Sequence, residues 1–327
     1  MSHAAVFLPD LSITDARTLA DRSVEYPLLA SLLGCAELFP HSEPLEYTLC
    51  KYFGSISPFP LAYYTALHDL AERSGNSDLV RGDPVHLHAD PNKVLLLGPE
   101  QLDLTLAEAD ALLAHLQREF PANAWQRGAS PLRWYLQRPP TVLADGPPTQ
   151  WISGRSLTPF IPSDPEHRDL RRWLNDIQMT LHDHPVNQAR AARGARPING
   201  VWMFGEGSVP SASTAYVYGV GNDVLLAGLS KCHQVPHAYA PTPRAALSAS
   251  GSRDLILMTG TGFGVANSNH PTVTTQATND SWLPALLKAL RLRRLERLNF
   301  YTATHVARLT WSSSWRVWRK PISFELR

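Results

Sequence analysis

The alternation of apolar and polar positions divides the chain into elements of both kinds. Residues 4 to 8, AAVFL, read as a short buried strand that ends at Pro9 and Asp10. From there to about Ser74 the pattern is helical, with Tyr26 to Leu38, Tyr47 to Phe53 and Leu61 to Arg73 separated by Pro and Ser-Gly breaks. VHLHA and KVLLLG, within Val80 to Gly98, alternate like strands around an Asp-Pro-Asn turn. Leu104 to Phe120 predicts an amphipathic helix capped near Asp103 or Thr105. Leu132 to Leu136, Thr141 to Leu143 and Gln150 to Ile152 predict short strands in a Pro-rich meander. Leu170, Trp173, Leu174, Ile177 and Leu181 define one face of a longer helix. Pro185 lacks the N–H that would extend it, so the helix should end near His184, with a second short helix to Arg193 closed by Gly194.

The same reading continues to the C-terminus. Ile198 to Phe204 predicts a buried strand that leaves sharply through Gly205 and Gly207. Ala215 to Tyr218 predicts a strand, and Val224 to Cys232 a helix with Asn222 and Asp223 at its cap. Asp254 to Thr259 predicts a strand. Trp282 to Leu292 predicts a helix capped by Asp280 or Ser281, and Arg297 to Thr302 with Val306 to Trp311 a closing hairpin. Together these elements predict an α/β fold, a central mixed sheet with flanking helices. Residues 1–80 are expected to form a mainly helical N-terminal part, and 81–327 one integrated α/β core.

Composition narrows the class. With 327 residues the chain can bury a sizeable core, and its formal net charge is +1. No apolar run approaches the roughly 20 residues of a membrane span. MSHAAVFLPD lacks the basic region and apolar core of a signal peptide. Cys35, Cys50 and Cys232 make no metal spacing and fit a reducing compartment, so a cytoplasmic location is expected. The charge is uneven. From Pro284 onward lie ten of the 30 Lys and Arg but two of the 29 Asp and Glu, interleaved with Trp311, Trp315 and Trp318. That end reads as a basic face paired with the acidic remainder, or alternatively as a nucleic-acid surface.

Chemistry concentrates between Leu170 and Gly207. His182, His184, Asn187, Arg190 and Arg193 are the polar candidates. Asn187 and Arg190 share a helical face, and an amide beside a guanidinium suits a carboxylate or a phosphate. The other reading leaves Arg190 and Arg193 solvated or paired to nearby acids. His86, His88 and Asp90 share a strand face and could hold a metal, although an ordinary half-exposed strand alternates in the same way. GTGFG, after the strand at 254–259, has the glycines of a phosphate cradle. It lacks the following Lys-Ser/Thr and a clear helix.

HPVNQARAARGARPINGVWMFGEG, with AYVYGVGNDVLLAGLSKCHQ, DPVHLHAD and LNDIQMTLHDHPVN, resembles the bacterial RpfE-type regulatory family over roughly Asp83 to Gln234. A more distant likeness is to archaeal-type cofactor-independent phosphoglycerate mutases of the alkaline phosphatase superfamily. It is carried by His184, Pro185, Asn187, Arg190, Gly194, Pro197, Asn199, Gly205 and Gly207. This likeness implies an alkaline-phosphatase-like but reduced fold. It also implies that Asn187, Arg190 and Arg193 meet a phosphorylated substrate. Because a helix start favours anions, the ligand is expected between the turn at His184, Asn187 and Arg190 and the loop at Gly205 and Gly207, with Asn199 and Trp202 beside it. For His184 a structural role on the strand is the alternative, and for Trp202 burial within it.

Such mutases use two divalent metal ions held by Asp and His, and a Ser or Thr nucleophile. Here Asp10 follows the first strand without the expected Gly and Asp, no nucleophile motif follows it, and His305 stands alone. The expectation is therefore a regulatory or ligand-binding protein without a metal cofactor and without catalytic residues. It would meet a phosphorylated small molecule and an unidentified protein partner, but neither nucleic acid nor membrane. The alternatives are an active two-metal phosphotransferase and a nucleic-acid-binding regulator.

Overall fold

The computed structural model describes residues 2–14, 21–70, 79–90, 93–98, 101–137, 146–161, 163–207, 215–260, 264–266 and 268–326. The chain forms two compact units, one from residues 1–55 and 212–327 and the other from 56–211.

The first segment enters through β1 (Ser2–Leu8) and β2 (Leu11–Ile13). It then forms α1 (Pro27–Cys35), β3 (Glu37–Pro40) and α2 (Leu45–Tyr52). Where a purely helical run was expected after residue 10, β2 and β3 intervene. β3 is exposed throughout, with Glu37 and Pro40 at its ends, as suits the edge of a sheet.

The inserted unit begins with α3 (Leu61–Asp69) and the long β4 (Leu79–Asp90). It continues through β5 (Lys93–Leu97), α4 (Leu106–Glu119), β6 (Ala124–Arg127) and β7 (Trp134–Gln137). α5 (Thr149–Ile152), α6 (Arg168–His182), α7 (Pro185–Ala192) and β8 (Gly200–Phe204) complete it. Gln150–Ile152 is thus helical rather than a strand, and the expected strand at 141–143 lies outside the described residues. β4 pairs antiparallel with β5, β7 and β8. α4 starts in a reciprocal capping box between Thr105 and Glu108. Its buried face, Ala109, Leu112, Leu113 and Leu116, shares a core with Leu170, Trp173, Ile177 and Leu181 of α6. Trp125 and Trp173 stack there, their ring centroids 6.0 Å apart.

This unit also buries charge. Asp69 takes a two-pronged contact from Arg133 at 2.6 and 2.7 Å and the Tyr135 hydroxyl at 2.7 Å. Arg81 forks onto Asp83 at 2.8 and 2.6 Å, and Thr149 adds its hydroxyl to the same carboxylate. Burial by itself would raise the Asp69 carboxyl. The hydrogen bonds and charge of Arg133, the neighbouring His68 and the Tyr135 hydroxyl reverse that and hold it far below its usual range.

The chain then returns to the first unit with β9 (Val217–Val220), α8 (Val224–Cys232), β10 (His237–Ala238), α9 (Pro243–Ser250) and β11 (Asp254–Met258). α10 (Thr275–Ala277), α11 (Leu283–Arg291), β12 (Leu295–Thr302), β13 (His305–Thr310) and β14 (Phe324–Leu326) follow. Its sheet runs β10-β9-β11-β1-β12-β13-β3, and β14 pairs with β2 separately. β1 lies parallel between β11 and β12, with Val6 opposite both Leu257 and Phe300. Flanked on both edges and buried on both faces, it reads as a nearly unbroken apolar run.

That position corrects the expected division at residue 80. The first 55 residues contribute the sheet's middle strand and cannot form a separate helical part, because their strand is hydrogen-bonded to strands nearly 250 and 300 residues later. The mixed α/β architecture with flanking helices is as expected. α1 has no side-chain cap of its own. Instead Asn279, on the π-helical turn Thr278–Trp282, accepts the Leu29 N–H at 3.1 Å. Asp280 is not the cap of α11; it accepts hydrogen bonds from Gln276 and Asn279.

Candidate functional site

In open parallel sheets, ligands meet the carboxyl ends of strands where neighbouring connections leave in opposite directions. Here β9 connects outward to β10, whereas β11 connects over β1 to β12. The strand ends so defined are Pro9–Asp10, Gly221–Asp223 and Thr259–Gly260.

The half-buried Asp10 is the chemically capable group there. Burial pushes its carboxyl above the usual carboxylate range. Gly260 admits it: φ is +66°, and a Cβ at this position would stand 2.6 Å from Asp10 Oδ2. The glycine-rich run legible in the sequence thus supplies close approach at its first residue; residues 261–263 lie outside the described residues.

The polar groups Thr259, Asn222 and Asp223 at these strand ends bond to backbone. The Thr259 hydroxyl donates to the Phe7 carbonyl at 2.9 Å. Asn222 donates to the His270 carbonyl at 2.6 Å, and Asp223, fully buried, accepts the Leu226 N–H as cap of α8. His305 meets the Thr304 hydroxyl at 3.0 Å. A two-metal phosphoryl-transfer centre needs several free carboxylates and imidazoles converging on one point. The described residues at these strand ends do not fit that need.

Elsewhere among the described residues, Asp164, Glu166 and His167 have ligand atoms within 4.8 Å of one another. They occupy one turn ahead of α6, with both acids exposed. Three donors on such a turn make a partial metal-ligand set. His86 instead meets the Pro197 carbonyl at 3.0 Å.

The eight residues expected around an anion all lie in the inserted unit, and the structure brings them to the α6–α7–β8 passage. Pro185 breaks the helix as the sequence predicts. His184 is the N-cap of α7, its Nδ1 accepting the Val186 N–H at 3.2 Å, and its ring lies 4.9 Å from that of His115. Burial, followed by the neighbouring His115 and Arg118, lowers its pKa. Asn187 donates to the Leu181 and Ile198 carbonyls and accepts the Ile198 N–H, stapling the end of α6 to the approach to β8. Asn199 bonds both backbone groups of Leu87. Trp202 is buried, and its indole N–H donates to the Pro147 carbonyl at 2.8 Å. At Gly205 (φ +75°) a Cβ would stand 2.9 Å from the Ala62 nitrogen, and Gly207 packs on Pro60.

Arg190 departs most from the expectation. It is fully buried. Nε donates to the Arg196 carbonyl, Nη2 to Leu102, and Nη1 to Asp103 and to both Glu108 oxygens at 3.1 and 3.0 Å. Arg193 adds a contact to Glu108 at 2.7 Å. The guanidinium faces protein carbonyls and a carboxylate, so no open cation remains at Arg190 for an anion. Spacing shows which residues share a helix face; it cannot show that residues 102–108 cover that face.

Glu108 joins this cluster to the cap of α4. Burial would raise its pKa, but hydrogen bonds from the Thr105 N–H, Arg193, the Thr105 hydroxyl and Arg190 bring it down to about 2. Because the folded value lies below the unfolded one of about 4.3, the stabilisation is complete above that pH. It is lost as pH falls toward 2. The expected contribution is on the order of 2 kcal/mol, discounted for the solvent reaching one edge of the cluster. Urea unfolding at pH 6, 4 and 3 should show the gap between native protein and Glu108→Gln shrinking as pH falls; a constant gap would refute the assignment.

No family model matches the chain, so the RpfE resemblance gains no support from that comparison. Over 129 residues the chain is 32% identical to the 2,3-bisphosphoglycerate-independent phosphoglycerate mutase of Methanothrix thermoacetophila, covering 34% of this chain and 33% of that one. Over 63 residues it is 32% identical to a probable mutase of the same kind from Geobacter sulfurreducens, covering 19% and 16%. The chain therefore spans about a third or less of the mutases it matches. Among solved structures, a cofactor-independent phosphoglycerate mutase from Thermoplasma acidophilum superposes with a TM-score of 0.39 at 13% identity, covering 95% of this chain and 90% of that one. The PH0037 protein of Pyrococcus horikoshii gives 0.44 at 13% identity, covering 99% and 86%. No helix among the described residues is long and apolar enough to cross a membrane. The sequence matches make this chain a distant relative, over about a third of its length, of the cofactor-independent phosphoglycerate mutases.

Proposed function

We propose that this protein is a catalytically reduced relative of those mutases, one that binds a phosphorylated small molecule without turning it over. The observation that carries the reading is the state of the strand ends. Asp10 is the one acid at those strand ends, among the described residues, that is not committed to capping a helix, and the neighbouring Thr259 hydroxyl donates to a backbone carbonyl. The sequence relationship supplies the ligand class. A regulatory role of the RpfE type in the cytoplasm accords with binding without turnover.

The test is a pair of measurements on purified protein. Interconversion of 2- and 3-phosphoglycerate, with and without manganese, is expected not to exceed a mock-purified control; turnover abolished by chelation would instead establish an active two-metal enzyme. 3-Phosphoglycerate at a hundred times its Kd should add about 2.7 kcal/mol of stability, a rise of a few degrees in Tm. No rise at millimolar ligand would remove the binding half of the reading.

A further inference from the structure

The opposite edge of the same sheet carries a second feature. Where β1 and β12 begin, with Ser2 beside Leu295, a cleft of about 770 Å³ opens between α9 and α11. Three cations line it, each from a different element: Arg244 from the first turn of α9, Lys288 from the last turn of α11, and Arg294 from the turn into β12. No acidic residue is among the described residues lining it. All three cations are exposed, and among the described residues none makes an ion pair or a side-chain hydrogen bond.

Their neighbours behave differently. Arg291 lies 4.2 Å from the Trp315 ring centroid and donates to the Ser314 carbonyl. Arg293 lies 4.6 Å from that of Trp311, and Arg316 meets Glu37 at 3.9 Å. Within the basic C-terminal stretch, Arg291, Arg293 and Arg316 are thus held by the protein, whereas Lys288 and Arg294 line the cleft. The pairing expected for the whole stretch applies to part of it only.

Three like charges around one concavity raise each other's energy and focus a positive potential within it. An anion relieves both. The volume falls within the range of small-molecule sites. Leu247 and Leu295 give the cleft an apolar wall beside the cations, and two guanidinium forks suit phosphate oxygens. We infer that this cleft is a binding site for a small organic phosphate carrying two or more negative charges, with its phosphates on Arg244, Lys288 and Arg294 and its body on the apolar wall. The site is separate from the strand ends beside Asp10 and does not depend on the mutase relationship, so phosphoglycerate turnover would leave it standing.

The experiment uses inorganic pyrophosphate and ADP as probes in calorimetry. ADP is expected to bind saturably and more tightly than pyrophosphate, since pyrophosphate lacks the body. Arg294→Ala and Lys288→Ala should each weaken ADP about 10- to 100-fold, as expected for a lost charge-assisted contact. Arg319→Ala, which removes the same charge from an exposed position outside the cleft, should change it less than about twofold. All three residues are exposed, and circular dichroism melting of each variant will show an unchanged fold. Absence of saturable binding by either probe at millimolar concentration in low salt would overturn the inference. So would equal weakening by Arg319→Ala, or a single-stranded oligonucleotide that binds more tightly than ADP and displaces it.

Discussion

Arg190→Met is expected to destabilise the protein by about 3–5 kcal/mol, with little change in its response to phosphorylated ligands. The side chain is fully buried and bonds through all three nitrogens. Methionine restores much of the volume but none of the donors. The Leu102, Asp103 and Arg196 carbonyls lose their partner, and Glu108 keeps Arg193 and the Thr105 cap. Leaving buried acceptors unmet costs more than the net gain of making those bonds, which is why the loss should be large. Arg190→Lys keeps the charge without the fork and should recover part of it. Urea unfolding of the three proteins, with 3-phosphoglycerate titrated into each, separates the two readings of this residue. If Arg190→Met melted like native protein but had lost a ligand response, the structural role of Arg190 would be refuted.

Asp69→Ala should lower stability by a similar 3–5 kcal/mol, because it strands charge instead of carbonyls. Arg133 and the Tyr135 hydroxyl both end on Asp69, whose side chain is fully enclosed. Without it a guanidinium whose side chain is 5% exposed loses the carboxylate it forks onto. Arg133→Met alone should also be costly, as it leaves the anion. The double variant should be less destabilised than the sum of the two singles, since removing both partners leaves no uncompensated buried charge. Chemical denaturation of the full cycle reads the coupling directly. Additive losses would mean that the two groups do not depend on one another.

Much of this organisation is local and was therefore written in the sequence. The apolar run of β1, the Thr105–Glu108 box, the break at Pro185 and the Asp223 cap each depend on residues within a few positions of one another. Local propensity and nearby hydrogen-bonding groups are enough to signal them. The helix Pro243–Ser250 carried the same kind of signal, a Thr-Pro start and a glycine stop, yet it does not emerge from the apolar pattern. Its polar, Ser- and Ala-rich face has little periodicity. Arg244 and the cleft it lines went unread with it.

What only the tertiary structure decided is which long-range partners the polar residues find. Arg190 and Asn187 have the composition of an anion site, and their spacing places them on one helix face. Asn187 is instead consumed by backbone groups and Arg190 by backbone carbonyls and the Glu108 carboxylate, which Ile198 and residues 102–108 bring to them. Likewise, nothing local marks residues 1–55 as the partner of 212–327; that follows from β1 pairing with β11 and β12. A side chain's chemistry is fixed by its type, but whether a donor is free for a ligand depends on which acceptors the fold delivers. Those acceptors come from up to 88 positions away at Arg190 and from some 250 to 300 positions away at the sheet.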